Sequence, residues 1–200
     1  MNPCLVALCI RAAHEAGIEY NEGRFIVAHL GGGISVGAHD CGRVTDVNNA
    51  IEEGPFSPER TGSLPVGQLV DLCFSGRYTK PEIKKMLVGR GGLYAHTGTT
   101  DCERLELEAE KDENIRNILE AMIYQISKEI CSNAAALSGM IDGVVVTGGL
   151  ARSEYIVAGI KKRVGFLGKF IVYPGENEME ALVQGAYRVL MGQKSANKYE

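Results

Sequence analysis

No apolar run in this sequence approaches the ~18 residues that a membrane-spanning helix needs. The most apolar opening stretch, Cys4 to Ile10, is short and lacks the basic start of a signal peptide, so it is read as a core helix. There are six cysteines, but no C-x-x-C pair and no histidine at zinc-ligand spacing, which excludes the common structural zinc sites. A chain this long with an ordinary core does not need a disulfide framework, so the cysteines are read as reduced thiols and the protein as cytoplasmic. Strong charge of one sign is also missing: the net charge of -4 gives no electrostatic case for nucleic acid or an anionic membrane as partner. Internal repeats and low-complexity tracts are absent. With 45% hydrophobic and 23% charged residues, the composition is that of a globular domain with one substantial core.

Glycine is what the sequence has in excess: 25 in 200 residues, where about 7% is usual. The glycines cluster at 31–33, 89–92 and 148–149, where apolar runs stop, so they mark turns with special backbone needs.

The pattern between these turns defines the elements. A helix is expected over Cys4 to Ala16, capped by Gly17. Strands follow at Phe25 to Leu30, from Ile34 through Ala38, and at Arg43 to Val47, forming an antiparallel meander. Residues 48–65 are rich in Gly, Pro and Ser and read as a long ordered loop, a type that is often functional. Helices are expected near Val66 to Phe74, Pro81 to Leu87 and, longest, Asn114 to Ser138. Strand Gly143 to Val146, helix Ser153 to Val164, strand Phe170 to Tyr173 and helix Glu178 to Met191 complete a βαβα unit. The fold class is therefore α/β, with a mixed five-stranded sheet and helices on both faces.

In Gly31-Gly32-Gly33 side chains are missing where two strands meet, so backbone amides can approach an anion, and Ser35 adds a hydroxyl. From this motif alone a plain glycine-bearing hairpin is the slightly favoured reading. His29 is either a packed, hydrogen-bonded residue or one aimed at whatever the turn holds. Gly148-Gly149, between a buried strand and a helix, suits a nucleotide at the sheet's carboxyl edge, or simply close helix-strand packing. Arg60 stands in a proline-braced loop, where its planar fork could serve a transferring phosphoryl group or pair with Glu59 or Glu53 at the surface. Gly89 to Gly92 is weighted as a turn between helices rather than a phosphate loop. Glu176, Glu178 and Glu180 suit a helix N-terminus, and a magnesium role for one of them requires phosphates nearby.

Together, HLGGGISVGAH at 29–39, GRVTDVNNA at 42–50, GPFSPERTGSLP at 54–65, VVVTGGLARS at 144–153 and YPGENEMEAL at 173–182 resemble the acetate kinase family, most closely its butyrate kinase branch. The resemblance implies an RNase H-like, actin-like ATPase domain over residues 21–193. An interdomain helix in 1–20 precedes it and a polar tail at 194–200 follows. It implies phosphorylation of a short-chain carboxylic acid, butyrate or a branched analogue, by Mg-ATP, giving an acyl phosphate and ADP. In that frame Gly31, Gly32, Gly33 and Ser35 hold ATP phosphates, and Arg60 stabilises the phosphoryl group in flight with His29 beside it. Gly148, Gly149, Leu150 and Ser153 contact the nucleoside, and Glu178 aligns with the family's metal-associated glutamate. The sequence departs from acetate kinases at Gly32 and Ser153, where they carry asparagine. The family's first domain, with its catalytic aspartate, is not matched. The expectation is a nucleotide-binding half with little activity alone, which pairs as a homodimer. The alternative is a non-catalytic remnant that binds nucleotide weakly or dimerises through its long helix.

Overall fold

The computed structural model describes residues 3–175 and, beyond them, residues 183, 186–187 and 189–192. Its centre is a five-stranded sheet in the order β3-β2-β1-β4-β5. The strands are β1 (Arg24–Leu30), β2 (Ile34–Asp40), β3 (Arg43–Val47), β4 (Gly143–Gly148) and β5 (Lys169–Pro174). β1 pairs antiparallel with β2 and parallel with β4, and β4 pairs parallel with β5, so the sheet is mixed as expected.

β1 and β4 are buried on both faces, which is why their sequences run apolar without alternation. Ile26, Ala28, Leu30, Val144 and Val146 point to one core, and Phe25, Val27 and Val145 to the other. The second core is closed by α1 (Pro3–Ala16) through Leu8, Cys9, Ala12 and Ala13. Gly17, at φ 72°, ends that helix in the left-handed conformation that glycine adopts without strain.

The first core is closed by α6 (Glu113–Ala136) and α7 (Glu154–Val164). Leu119, Met122, Ile123, Ile126 and Ile130 of α6 recur at helical spacing and are fully buried, each contributing about 1.5–3 kcal/mol against exposure. Gly159 lets α7 approach closely, because a Cβ there would stand 3.0 Å from the Ile123 side chain. α6 spends most of its apolar residues on the core and leaves Tyr124 exposed. Apolar residues are left exposed at Val183, Tyr187, Leu190 and Met191 and on α2 (Val66–Cys73). None of the α2 residues is buried, and Val66, Val70 and the following Phe74 are exposed.

α3 (Lys80–Leu87) begins with a Thr79–Glu82 capping box. Two short helices were not anticipated from sequence: α4 (Gly92–Thr97) and α5 (Cys102–Ala109). The expected closing helix, 178–191, is helical at the described positions 183, 186, 187, 189 and 190. Glu178 lies outside the described residues. No described helix is long and apolar enough to cross a membrane.

Candidate active site at the carboxyl edge of the sheet

β1 and β4 run parallel with His29 opposite Thr147, so the two glycine turns leave adjacent strands at the same edge. They are in contact. Gly148 has φ 98°, and a Cβ on it would stand 2.5 Å from the Leu30 carbonyl oxygen. Glycine is required there by both conformation and space. The Gly148 and Gly175 backbones exchange hydrogen bonds at 3.3 and 3.0 Å, which extends the edge into the residue after β5.

In the first turn, the Gly31 amide donates to the Gly33 carbonyl at 3.1 Å. Among the described residues, the amides of Gly32 and Gly33 have no protein acceptor. Ser35 pairs across the hairpin with His29, and His29 with Thr147, so these three polar residues form one row on the α1 face of the sheet. The imidazole reaches the turn: a Cβ on Gly31 would lie 3.3 Å from His29 Nε2.

The loop 48–65 folds back over this turn. Asn48 anchors it, its side chain accepting from the Val36 amide and donating to the Ile34 carbonyl, so that it prolongs the edge of β2. Ser57 Oγ donates to the Gly32 carbonyl at 2.6 Å and accepts the Arg60 amide at 3.2 Å. Arg60 Nη1 donates to the Ala50 carbonyl at 3.2 Å, and its guanidinium lies against the α-carbon of Gly33, where a Cβ would overlap it. Glu59 stands 3.9 Å from Arg60 Nε, too far for a hydrogen bond. Arg60 Nε is buried with no hydrogen-bond partner among the described residues. The surface-pair reading of Arg60 therefore describes a minor contact, and the guanidinium keeps a donor over the turn.

The turn at Gly89 to Gly92 braces this loop. The Gly89 and Gly91 amides donate to the Glu59 carbonyl at 2.8 and 3.1 Å, and Gly92, at φ 58°, leaves no room for a Cβ beside the Ser57 carbonyl. Two of its amides are thus committed to protein.

After Gly148 the chain makes a 3-10 turn, Gly149–Arg152, before α7. Gly149, Leu150 and Ser153 line an open cleft of about 430 Å3 whose opposite wall is the start of α5, with Asp101, Cys102 and Glu106. Ser153 caps α7 by accepting the Ile156 amide at 3.0 Å, and Asp101 caps α5 by accepting the Arg104 amide at 3.1 Å. Burial, and then the nearby Glu106 and Asp101 carboxylates, push the Cys102 thiol up to about 12, so it stays protonated and unreactive at neutral pH. The α5 wall was missed from sequence, although Asp101 followed by Cys102, Leu105 and Ala109 is a capped amphipathic start.

Among known proteins, the family model described as Acetokinase family matches residues 9–195. The chain belongs to the acetokinase family. It is 47% identical over 196 residues to a probable butyrate kinase of Bacteroides thetaiotaomicron, covering 97% of this chain and 56% of that protein. It superposes on a Porphyromonas gingivalis acetate kinase with a TM-score of 0.83 at 21% identity, covering 92% of this chain and 54% of the other. For a propionate kinase from Francisella tularensis the TM-score is 0.79 at 20% identity, with 90% and 52% covered. The fold is thus that of the acetokinases, the actin-like ATPase fold, and the chain spans about half the length of the relatives it matches.

Of the candidate residues within this acetokinase chain, His29, Gly31 to Gly33, Ser35, Arg60 and Gly148 gather at one edge. Gly149, Leu150 and Ser153 line the neighbouring cleft. Among the described residues no three His, Cys, Asp or Glu side chains form a metal cluster. Glu59 is a described carboxylate near the turn, 3.3 Å from where a Gly32 Cβ would stand.

Proposed function

We propose that this chain is the nucleotide-binding part of a carboxylate kinase, which transfers the γ-phosphoryl group of ATP to a short-chain acid, butyrate or a branched analogue. The observation that carries the reading is the Arg60 guanidinium held over Gly33, beside two amides without protein acceptors. The Gly32 and Gly33 amides and the Ser35 hydroxyl bind the phosphates. Gly149, Leu150 and Ser153 receive the nucleoside in the adjoining cleft. A carboxylate oxygen of the acid attacks the γ-phosphorus, the bond from that phosphorus to the β-γ bridging oxygen breaks, and ADP leaves with the electron pair. No proton need move. Arg60 offers a fixed cation to the equatorial oxygens as the phosphoryl group passes, and His29, next to Gly31, places an imidazole at the same turn. Magnesium, when bound with the nucleotide, neutralises phosphate charge, with Glu59 or Glu178 as its carboxylate.

The second reading is a module that binds nucleotide or pairs with a second copy without catalysing transfer. The exposed apolar side of α2 favours pairing through Val66, Val70 and Phe74. Both readings place the protein in the cytoplasm, where ATP is available.

Calorimetric titration with Mg-ATP, followed by acyl phosphate assays on butyrate, isobutyrate and acetate, separates them. The assays are run with and without a polypeptide corresponding to the remainder of the Bacteroides relative. Binding together with activity on complementation supports the kinase reading. Binding without activity under either condition supports the module, and absence of binding removes both nucleotide roles.

A further inference from the structure

Ser57 is fully buried, and each of its polar groups is used. Its hydroxyl donates to the Gly32 carbonyl at 2.6 Å and accepts the Arg60 amide at 3.2 Å. Its own amide donates to the Arg60 carbonyl at 3.0 Å, and its carbonyl accepts the Leu93 amide at 3.0 Å. One oxygen therefore touches both the glycine turn and the residue that carries the guanidinium.

The peptide between Gly32 and Gly33 has a glycine on each side, so no Cβ opposes its turning over. In a trans peptide the carbonyl and the amide point to opposite sides. Holding the Gly32 carbonyl toward Ser57 fixes the Gly33 amide away from the Ser57 hydroxyl. Glu59 cannot do this, because a carboxylate has no proton to give a carbonyl. A buried hydroxyl with a short hydrogen bond can, and removing it leaves the carbonyl without its donor.

We propose that Ser57 is a positioning residue that selects the anion-binding orientation of the Gly32–Gly33 peptide and, through the same oxygen, places Arg60. The ligand it serves is the polyphosphate of a nucleoside di- or triphosphate. This rests on the reading of the turn as a phosphate site.

The test uses the full chain, isotopically labelled, and compares wild type with Ser57→Ala, Ser57→Thr and Ser57→Cys. Mg-ATP and adenosine are titrated separately. In Ser57→Ala, affinity for ATP is expected to fall about tenfold while that for adenosine is unchanged, and Ser57→Thr, which keeps the hydroxyl, restores it. The Gly33 amide resonance shifts in Ser57→Ala before any nucleotide is added. Unchanged ATP affinity in Ser57→Ala, or equal losses for ATP and adenosine, would overturn the proposal. Should Ser57→Ala fail to fold, Ser57→Cys, with a weaker donor, gives the same comparison. If wild type binds no ATP, the phosphate reading fails by itself. Positioning of the peptide, apart from any ligand, is then read from the Gly33 resonance: a shift in Ser57→Ala upholds it, and an unmoved resonance refutes it.

Discussion

The guanidinium of Arg60 lies over the α-carbon of Gly33, so close that a Cβ on Gly33 would stand 2.5 Å from Cζ and overlap Nη1. The placing of the arginine and the smallness of the glycine are one requirement. The atoms a new methyl would meet belong to the end of a flexible side chain, and Gly33 is not among the residues with positive φ. Gly33→Ala should therefore fold with a loss below about 1 kcal/mol while moving Arg60. The expected result is a nearly unchanged denaturation midpoint, with phosphoryl transfer in the complemented enzyme reduced on the order of a hundredfold.

Gly148→Ala should behave in the opposite way. There the φ of 98° and the Leu30 carbonyl 2.5 Å away are both backbone constraints. Strain and overlap together should cost about 2 kcal/mol or more, read as a lower urea midpoint with an unchanged slope.

Arg60→Lys keeps a positive charge but loses the planar fork. Transfer in the complemented enzyme should fall on the order of a thousandfold, with Mg-ATP affinity little altered because in the proposed site backbone amides hold the phosphates. Steady-state rates set against calorimetric affinities check this.

His39, opposite Phe25 and Val44, is fully buried, and neither ring nitrogen has a hydrogen-bond partner among the described residues. Burial lowers its pKa from 6.5 to about 4, so the folded protein keeps the ring neutral where the unfolded chain would protonate it. The unfolded state binds the extra proton, so this contribution is complete above pH 6.5 and is lost as pH falls toward 4, about 3 kcal/mol in all. His39→Leu should flatten the dependence of stability on pH across that window, as measured by urea denaturation at half-unit intervals.

The sheet was legible in the sequence because its signals are local. Apolar runs ending in glycine mark β1 and β4, and α6 carries a helical period across 24 residues. α4 has six residues and is held by tertiary bonds, with the Leu93 and Tyr94 amides donating to the Ser57 and Pro58 carbonyls, so no periodicity could announce it. α5 buries only Cys102, Leu105 and Ala109 among charged neighbours, too few positions to fix a period. The edge of the candidate site could be read from its glycines. The far wall of the cleft beside Gly149 could not, since it depends on α5 packing against α6. Nor could Ser57, whose role comes from a contact 25 residues distant along the chain.

The most direct test of the account is a Mg-ATP titration of the isotopically labelled chain, followed residue by residue through its amide resonances. Saturable shifts are predicted at Gly32, Gly33 and Gly149, with adenosine alone moving Gly149 and leaving the 31–33 turn in place. Shifts confined to the apolar cleft lined by Ile51, Leu64 and Leu69, or no saturable shift at all, would contradict the claim that this edge holds the nucleotide.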